Sequence, residues 1–387
     1  MTLRRLAADT ETVDPFTLEV PESQLDDLRR RLDAVRWPDP ELVDDWSQGA
    51  PLANVWALIQ HWRVAYDWRR CEQMLNGLGQ YRTQIDGVDI HFLHVRSPNP
   101  DALPIILSHG WPGSVIEFLK TVGPLSDPAA HGGRAADAFH IVVPSLPGYG
   151  FSGKPRETGW TVQRIARAWH TLMNRLGYDR YVAQGGDWGA AITTAMGVQR
   201  PEGLIAIHLN LPFVLPATIG EELSAEEGAM LEALAHYKRW GAGYSTQQST
   251  RPQTLGYALA DSPVGQAAWI YEKFQAWSDC EGVPENILTQ DEMLDNIMMY
   301  WLSNTGTSAA RLYWESFYGA FGATDVHIPT GCSIFPKDIY RAPKSWADRC
   351  LHNLIYWNEL DRGGHFAAFE QPELFVNELR NCFGLIR

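Results

Sequence analysis

Cysteine is scarce in this chain, and no two cysteines are close together. The 387 residues carry five, at Cys71, Cys280, Cys332, Cys350 and Cys382. No C-x-x-C pair occurs, and the number is odd, so a disulfide framework and a cysteine zinc site are both disfavoured. Free thiols in a reducing compartment are expected. Long apolar runs are also missing: no stretch of eighteen apolar residues exists to form a spanning helix. The opening "MTLRRLAADTETVDPF" has no apolar core of a signal peptide. These absences predict a cytoplasmic chain. Positive charge is in deficit, with 32 Lys and Arg against 46 Asp and Glu, a formal net charge of −14. That disfavours nucleic acid and anionic membrane as partners. There is no internal repeat and no low-complexity tract.

Aromatic residues, by contrast, are abundant: 16 Trp, 14 Tyr and 14 Phe. They are dense between residues 237 and 321. The chain is long enough for one large core with an added part. Leu25, Leu28, Leu32 and Val35 fall at helical spacing in "ESQLDDLRRRLDAV", and "RWPDP" stops that helix. More helical pattern runs over 56–78, completing a helical arm. Asp86-Gly87 between two alternating runs signals a hairpin. His91 and His94, three apart on that strand, point to opposite faces and read as unrelated.

Beyond the hairpin, short apolar runs alternate with helical segments: "PIILSHG", "HIVVPSLPG", "RYVAQGG", "LIAIHLN", then "HIPTGCSIF" and "NLIYWNE". Such alternation predicts an α/β fold with a mainly parallel sheet, here of eight strands, covered by helices on both faces. It breaks over 215–325, which is helical and aromatic. An insertion leaving the carboxyl end of one strand and returning to the next would cap the ligand-binding edge of the sheet. The expected divisions are a helical arm over 1–78, a core over 79–214 and 326–387, and a cap over 215–325.

"GGDWG" at 185–189 fits G-x-nucleophile-x-G between a strand and a helix, the setting of a nucleophile elbow. The central residue is Asp187, where esterases place serine. A carboxylate is already ionised at neutral pH, with a reference pKa of about 3.9. Attack on an ester carbonyl would give a reactive anhydride. Displacement at a saturated carbon gives an alkyl ester that water can cleave. The residue type therefore points to opening of an alkyl–oxygen or alkyl–halogen bond. The alternative is a glycine-rich turn in which Asp187 caps the next helix.

Two further motifs weigh against a mere cap. "SHGWPGS" at 108–114 follows a strand. In this setting the backbone N–H groups of Trp111 and Trp188 would form an oxyanion hole, each donor worth about 2.7–4 kcal/mol in the transition state. His109, Gly110 and Pro112 complete that loop, with His109 ordering it. At the far end, Asp338 follows "GCSIF" and His365 follows "LIYWNE", in the chain order nucleophile, acid, histidine. His365 would take a proton from water while Asp338 orients its ring. Asn210, where some related folds carry the acid, is an amide. His208 reads as a core residue.

The chain resembles the microsomal-type epoxide hydrolases of the α/β-hydrolase fold. The residues that carry the likeness are "LRRRLDAVRWPD", "HGWPGS", "GGDWG", "ADSPVGQAAWIYEKFQAWSD", "PTGCSIFPKD" and "RGGHFAAFEQPELF". The resemblance implies Asp187 as nucleophile, Asp338 as acid and His365 as base. It also implies two cap tyrosines holding the epoxide oxygen, Tyr244 and Tyr313, with Tyr237, Tyr257, Tyr300 and Tyr318 as competitors. The aromatic cap suggests a lipophilic, aryl or bulky epoxide as substrate, and the expected reaction gives a vicinal diol with no cofactor or metal. The membrane anchor of mammalian members has no counterpart in this sequence. A homodimer is left open, as is the choice between detoxification and antibiotic biosynthesis. The other readings are a haloalkane dehalogenase and a non-catalytic ligand-binding homologue.

Overall fold

A computed structural model describes residues 11–216, 218–219, 222–320 and 325–387. The first ten residues of the expected arm lie outside these. The sheet has nine strands: β1 (Asp14–Pro15), β2 (Gln80–Ile85), β3 (Val88–Val95), β4 (Leu103–Ser108), β5 (Phe139–Pro144), β6 (Tyr181–Gly185), β7 (Leu204–Leu209), β8 (Thr330–Ile334) and β9 (Leu354–Glu359). Their order is β1-β2-β3-β5-β4-β6-β7-β8-β9. The eight expected strands are all present. The ninth, β1, is a two-residue edge strand set against β2 by the pairing of Pro15 with Tyr81. Two residues carry no readable alternation, which is why it was not foreseen.

The hairpin between β2 and β3 turns on Asp86 and Gly87, both at positive φ (49° and 76°). That is the mirror-image turn whose twist matches the flanking strands. β3 pairs antiparallel with β5, and from β5 to β9 every pair is parallel. The inner parallel strands are almost wholly buried: Ile105, Ile106, Leu107, Ile141, Val142, Val143, Val182 and Ile207 have no exposed surface. Their near-continuous apolar runs follow from burial on both faces.

The expected helix over 56–78 is two helices, Leu52–Val64 and Trp68–Asn76. The break is stabilised by the Asp67 side chain, which accepts from the Arg69 N–H at the start of the second. Between β7 and β8 the chain forms the helices Ala225–His236, Gly243–Thr250, Pro252–Asp261, Pro263–Trp277, Gln290–Ser303 and Gly306–Ala320. The arm braces this insertion: Tyr66 donates to Asp295 (2.7 Å), Arg70 pairs with Asp295 (2.7 Å) and His61 with Asp291 (2.7 Å). All five cysteines are buried, and none forms a disulfide among the described residues. His91 bonds Ser145 and Gln80 while His94 bonds Tyr178, so the two serve separate neighbourhoods. Among the described residues, no helix is long and apolar enough to cross a membrane.

Candidate active site

Parallel strands bring their carboxyl ends to one edge, and the candidate residues follow those ends. Asp187 stands two residues beyond β6, with φ 50° and ψ −128°. A non-glycine residue held there costs of order 1–3 kcal/mol and persists only where its surroundings impose it. The glycines on either side impose it. A Cβ at Gly185 would meet the Gly189 carbonyl oxygen at 2.0 Å, and one at Gly189 would meet that of Ser108 at 1.9 Å. Strand and helix approach so closely that the intervening side chain has to project from the turn. Asp187 makes no capping bond to the helix Trp188–Gln199 that it precedes. The helix-capping alternative therefore does not describe it.

The carboxylate is instead held from two other directions. Asp187 Oδ1 accepts the backbone N–H of Trp111 at 2.8 Å. His365 Nε2 stands 3.4 Å from Asp187 Oδ2. On its far side His365 Nδ1 lies 2.7 Å from Asp338 Oδ1, which also accepts the Ile339 N–H (2.8 Å). Burial lifts the Asp338 pKa, opposed by His365. Burial opposes the charged form of His365, but the Asp338 charge and the hydrogen bonds to Asp187 and Asp338 outweigh it. The ring holds its proton well above the usual histidine range. The His365 backbone N–H is fixed by the carbonyl of Trp277, at the end of a cap helix (2.8 Å). Trp277 was not singled out from the sequence.

The loop after β4 is locked from within and above. His109 Nδ1 donates to the Gly110 carbonyl (2.9 Å), and Nε2 accepts the Leu146 N–H (3.2 Å). Burial lowers its pKa to about 4, so the ring is neutral and suits both bonds. Asn296 donates to the Pro112 carbonyl (2.8 Å) and Tyr300 to that of Gly113 (2.7 Å), both from the cap helix Gln290–Ser303. Trp188 opens its helix, so its N–H has no place in the i−4 ladder.

Above Asp187 lie aromatic rings. Tyr244 stacks on Trp111 (4.9 Å between centroids, 10° between planes), and Tyr313 meets Trp188 edge-on at 4.8 Å. The two tyrosine rings are 5.8 Å apart. Burial first, then a neighbouring tyrosine and the Asp187 charge, push both phenol pKa values well up, so both are donors. Of the competitors, Tyr257 is 72% and Tyr318 79% exposed, and Tyr300 is committed to Gly113. Tyr237 remains, its hydroxyl 2.9 Å from that of Tyr244. Asn210 accepts from Gln184 (2.6 Å) and His208 bonds Ser333 (2.9 Å).

A carboxylate on a strand-to-helix elbow, facing a histidine–aspartate pair from later strands, places the molecule in the α/β-hydrolase class. The model of the alpha/beta hydrolase fold matches residues 104–231, and that of the epoxide hydrolase N terminus matches residues 13–118. A Stigmatella aurantiaca protein provisionally named an epoxide hydrolase is 58% identical over 97% of this chain and 86% of its own length. Epoxide hydrolase 1 of Sus scrofa is 37% identical over 99% and 91%. The solved Aspergillus niger epoxide hydrolase is 33% identical, covering 97% of both chains with a TM-score of 0.86. The chain belongs to the epoxide hydrolase family, in its microsomal-type branch, and it is an epoxide hydrolase. The dehalogenase alternative is not favoured.

Proposed function

We propose that the chain opens a lipophilic epoxide to a vicinal diol through an ester on Asp187, with Tyr244, Tyr313, His365 and Asp338 as its working partners. The observation that carries this reading is the single carboxylate placed between the Trp111 N–H and the His365–Asp338 pair. The substrate would lie under the aromatic rings of the cap. Tyr244 and Tyr313 donate to the ring oxygen as its C–O bond breaks, and the Asp187 carboxylate attacks the carbon. Esterification removes the Asp187 charge, one of the interactions that hold the proton on His365. That proton passes to the alkoxide left by ring opening, and neutral Nε2 can then take a proton from water, which attacks the ester carbonyl. The N–H groups of Trp111 and Trp188 face the oxygen that becomes negative. In this reading the arm spans 1–78, the core 79–214 and 326–387, and the cap 215–325. The burial of both phenols among tryptophans supports a bulky, apolar substrate.

Single turnover in heavy-oxygen water with enzyme in excess tests the route. Label is expected in the Asp187 peptide after one cycle, with the first diol unlabelled. Label directly in that first diol would overturn the ester.

A further inference from the structure

A small cavity of about 20 Å³ lies against Asp187. It is lined by Asp187, His365, Glu117, Gln184, Asn210 and Phe366, among others, and by no residue of the cap. Tyr244 and Tyr313 are therefore not part of it, and it is too small for an organic substrate. Its size suits one ordered water, which needs at least about 10–15 Å³ and two to four polar partners. Gln184 Oε1 and Asn210 Nδ2 are both buried and find no hydrogen-bond partner among the described residues.

Glu117 is the unexplained group on this wall. With Ser114 it spells S-x-x-E, and its carboxyl accepts the Ser114 N–H, so one role is a helix cap. Two other boxes of this kind occur, at Ser224 with Glu227 and Thr289 with Glu292, and their capping bonds are exposed. Glu117 is half-buried, which capping alone does not require. The Glu117 head instead folds back over the loop that carries Trp111. A Cβ at Gly113 would fall 1.3 Å from Glu117 Oε1, so only glycine there leaves it room. Burial, opposed by His365 and reinforced by Asp187, pushes its pKa up to about 8. At neutral pH the head is a carboxylic acid. One oxygen accepts from Ser114, and the O–H has the cavity to donate into.

We propose that Glu117 is a positioning residue that holds the ester-cleaving water in this cavity, between His365 and the Asp187 carbonyl carbon. It rests on the ester reading above. The water gives one proton to His365 Nε2, and its oxygen bonds to the ester carbonyl carbon. The acyl C–O bond breaks, and the diol leaves with the imidazolium proton on its oxygen. Glu117 is unchanged by the step. Its hydrogen bond acts on the second half-reaction only.

Rapid-quench single turnovers on a styrene-oxide-type aryl epoxide, with intact-protein mass spectrometry, separate ester formation from ester cleavage. Glu117→Met keeps length and loses the polar head. Cleavage is expected to slow about tenfold or more, the loss of one hydrogen bond, while formation changes less than about threefold. Ester should then accumulate. Glu117→Gln keeps both an acceptor for Ser114 and a donor for the water, and should restore cleavage to within about threefold. If Glu117→Met does not fold, Glu117→Ala carries the same expectation. Unchanged cleavage in the apolar variant overturns the proposal. So does a parallel fall in both steps with a lowered Tm, which marks a cap alone. Absence of ester even in His365→Gln would instead overturn the ester reading, and this one with it.

Discussion

On the sheet side of Asp187 the neighbours are polar, and their geometry is set by hydrogen bonds of 2.7–2.8 Å to Trp111 and within the His365–Asp338 pair. On the cap side the neighbours are rings, set by stacking at 4.8–5.8 Å, with the Tyr244 and Tyr313 hydroxyls among their polar tips. The first side comes from strand ends of one rigid sheet, the second from helices of the insertion. A charge can be stabilised at fixed points on the first, while bulk and shape are read on the second. In the proposed reaction this difference separates the two halves: ring opening would draw on the cap, ester cleavage on the core.

Substitutions should divide along that line. Asp187→Ala removes the atom both halves share, and turnover should fall by about 10⁴-fold or more in a diol assay. His365→Gln should break only the core half. Ring opening continues once per enzyme, and the Asp187 peptide gains the mass of one substrate. Retained multiple turnover would refute the assignment. Tyr313→Phe and Tyr244→Phe should break the cap half. Each should slow ester formation by about 10–100-fold, the two together by more, since removing one such donor costs about 10²–10³ where nothing shares the load. Ester cleavage measured in the same single turnovers should change little.

Smaller effects sharpen the comparison. Glu117 binds its proton more tightly in the folded chain, with a pKa of about 8 against 4.5 unfolded. Below pH 4.5 both states are protonated and nothing is at stake. Between 4.5 and 8 the unfolded state loses its proton and the folded state does not, so stability falls with rising pH. Glu117→Gln removes that loss. Its Tm should gain on the wild type from pH 4.5 to 8 and the gap should then level off. A gap that does not depend on pH would contradict the burial of this carboxyl. The smallest effect is expected at Tyr237→Phe. Loss of its bond to Tyr244 should slow ester formation about threefold, the scale of one neutral hydrogen bond.

Much of the core side is legible in the residues because strand, turn and catalytic side chain are contiguous there. "RYVAQGG" runs straight into Asp187, "GCSIF" leads to Asp338, and "LIYWNE" to His365. The sheet then gathers them without further specification. The cap side is not legible in this way. Tyr244 and Tyr313 lie 69 residues apart on separate helices, and a tyrosine in an amphipathic helix looks the same whether it packs or donates. Only the family resemblance singled them out. Glu117 is not legible because the S/T-x-x-E spacing recurs along the chain, at Ser224 and Thr289 among others, and only its tertiary surroundings distinguish it. Trp277 contributes a backbone carbonyl, a role any residue type could fill.

The two bonds from Asn296 and Tyr300 to the loop after β4 tie the lid to the machinery it covers. The helix that makes them is gripped from outside by Tyr66 and Arg70 through Asp295. A line of fastenings thus runs from the first third of the polypeptide to the Trp111 N–H that touches Asp187. Lifting this helix would slacken the clamp on Trp111. Trimming the front of the protein to make a leaner catalyst would loosen the same clamp, far from where the cut was made.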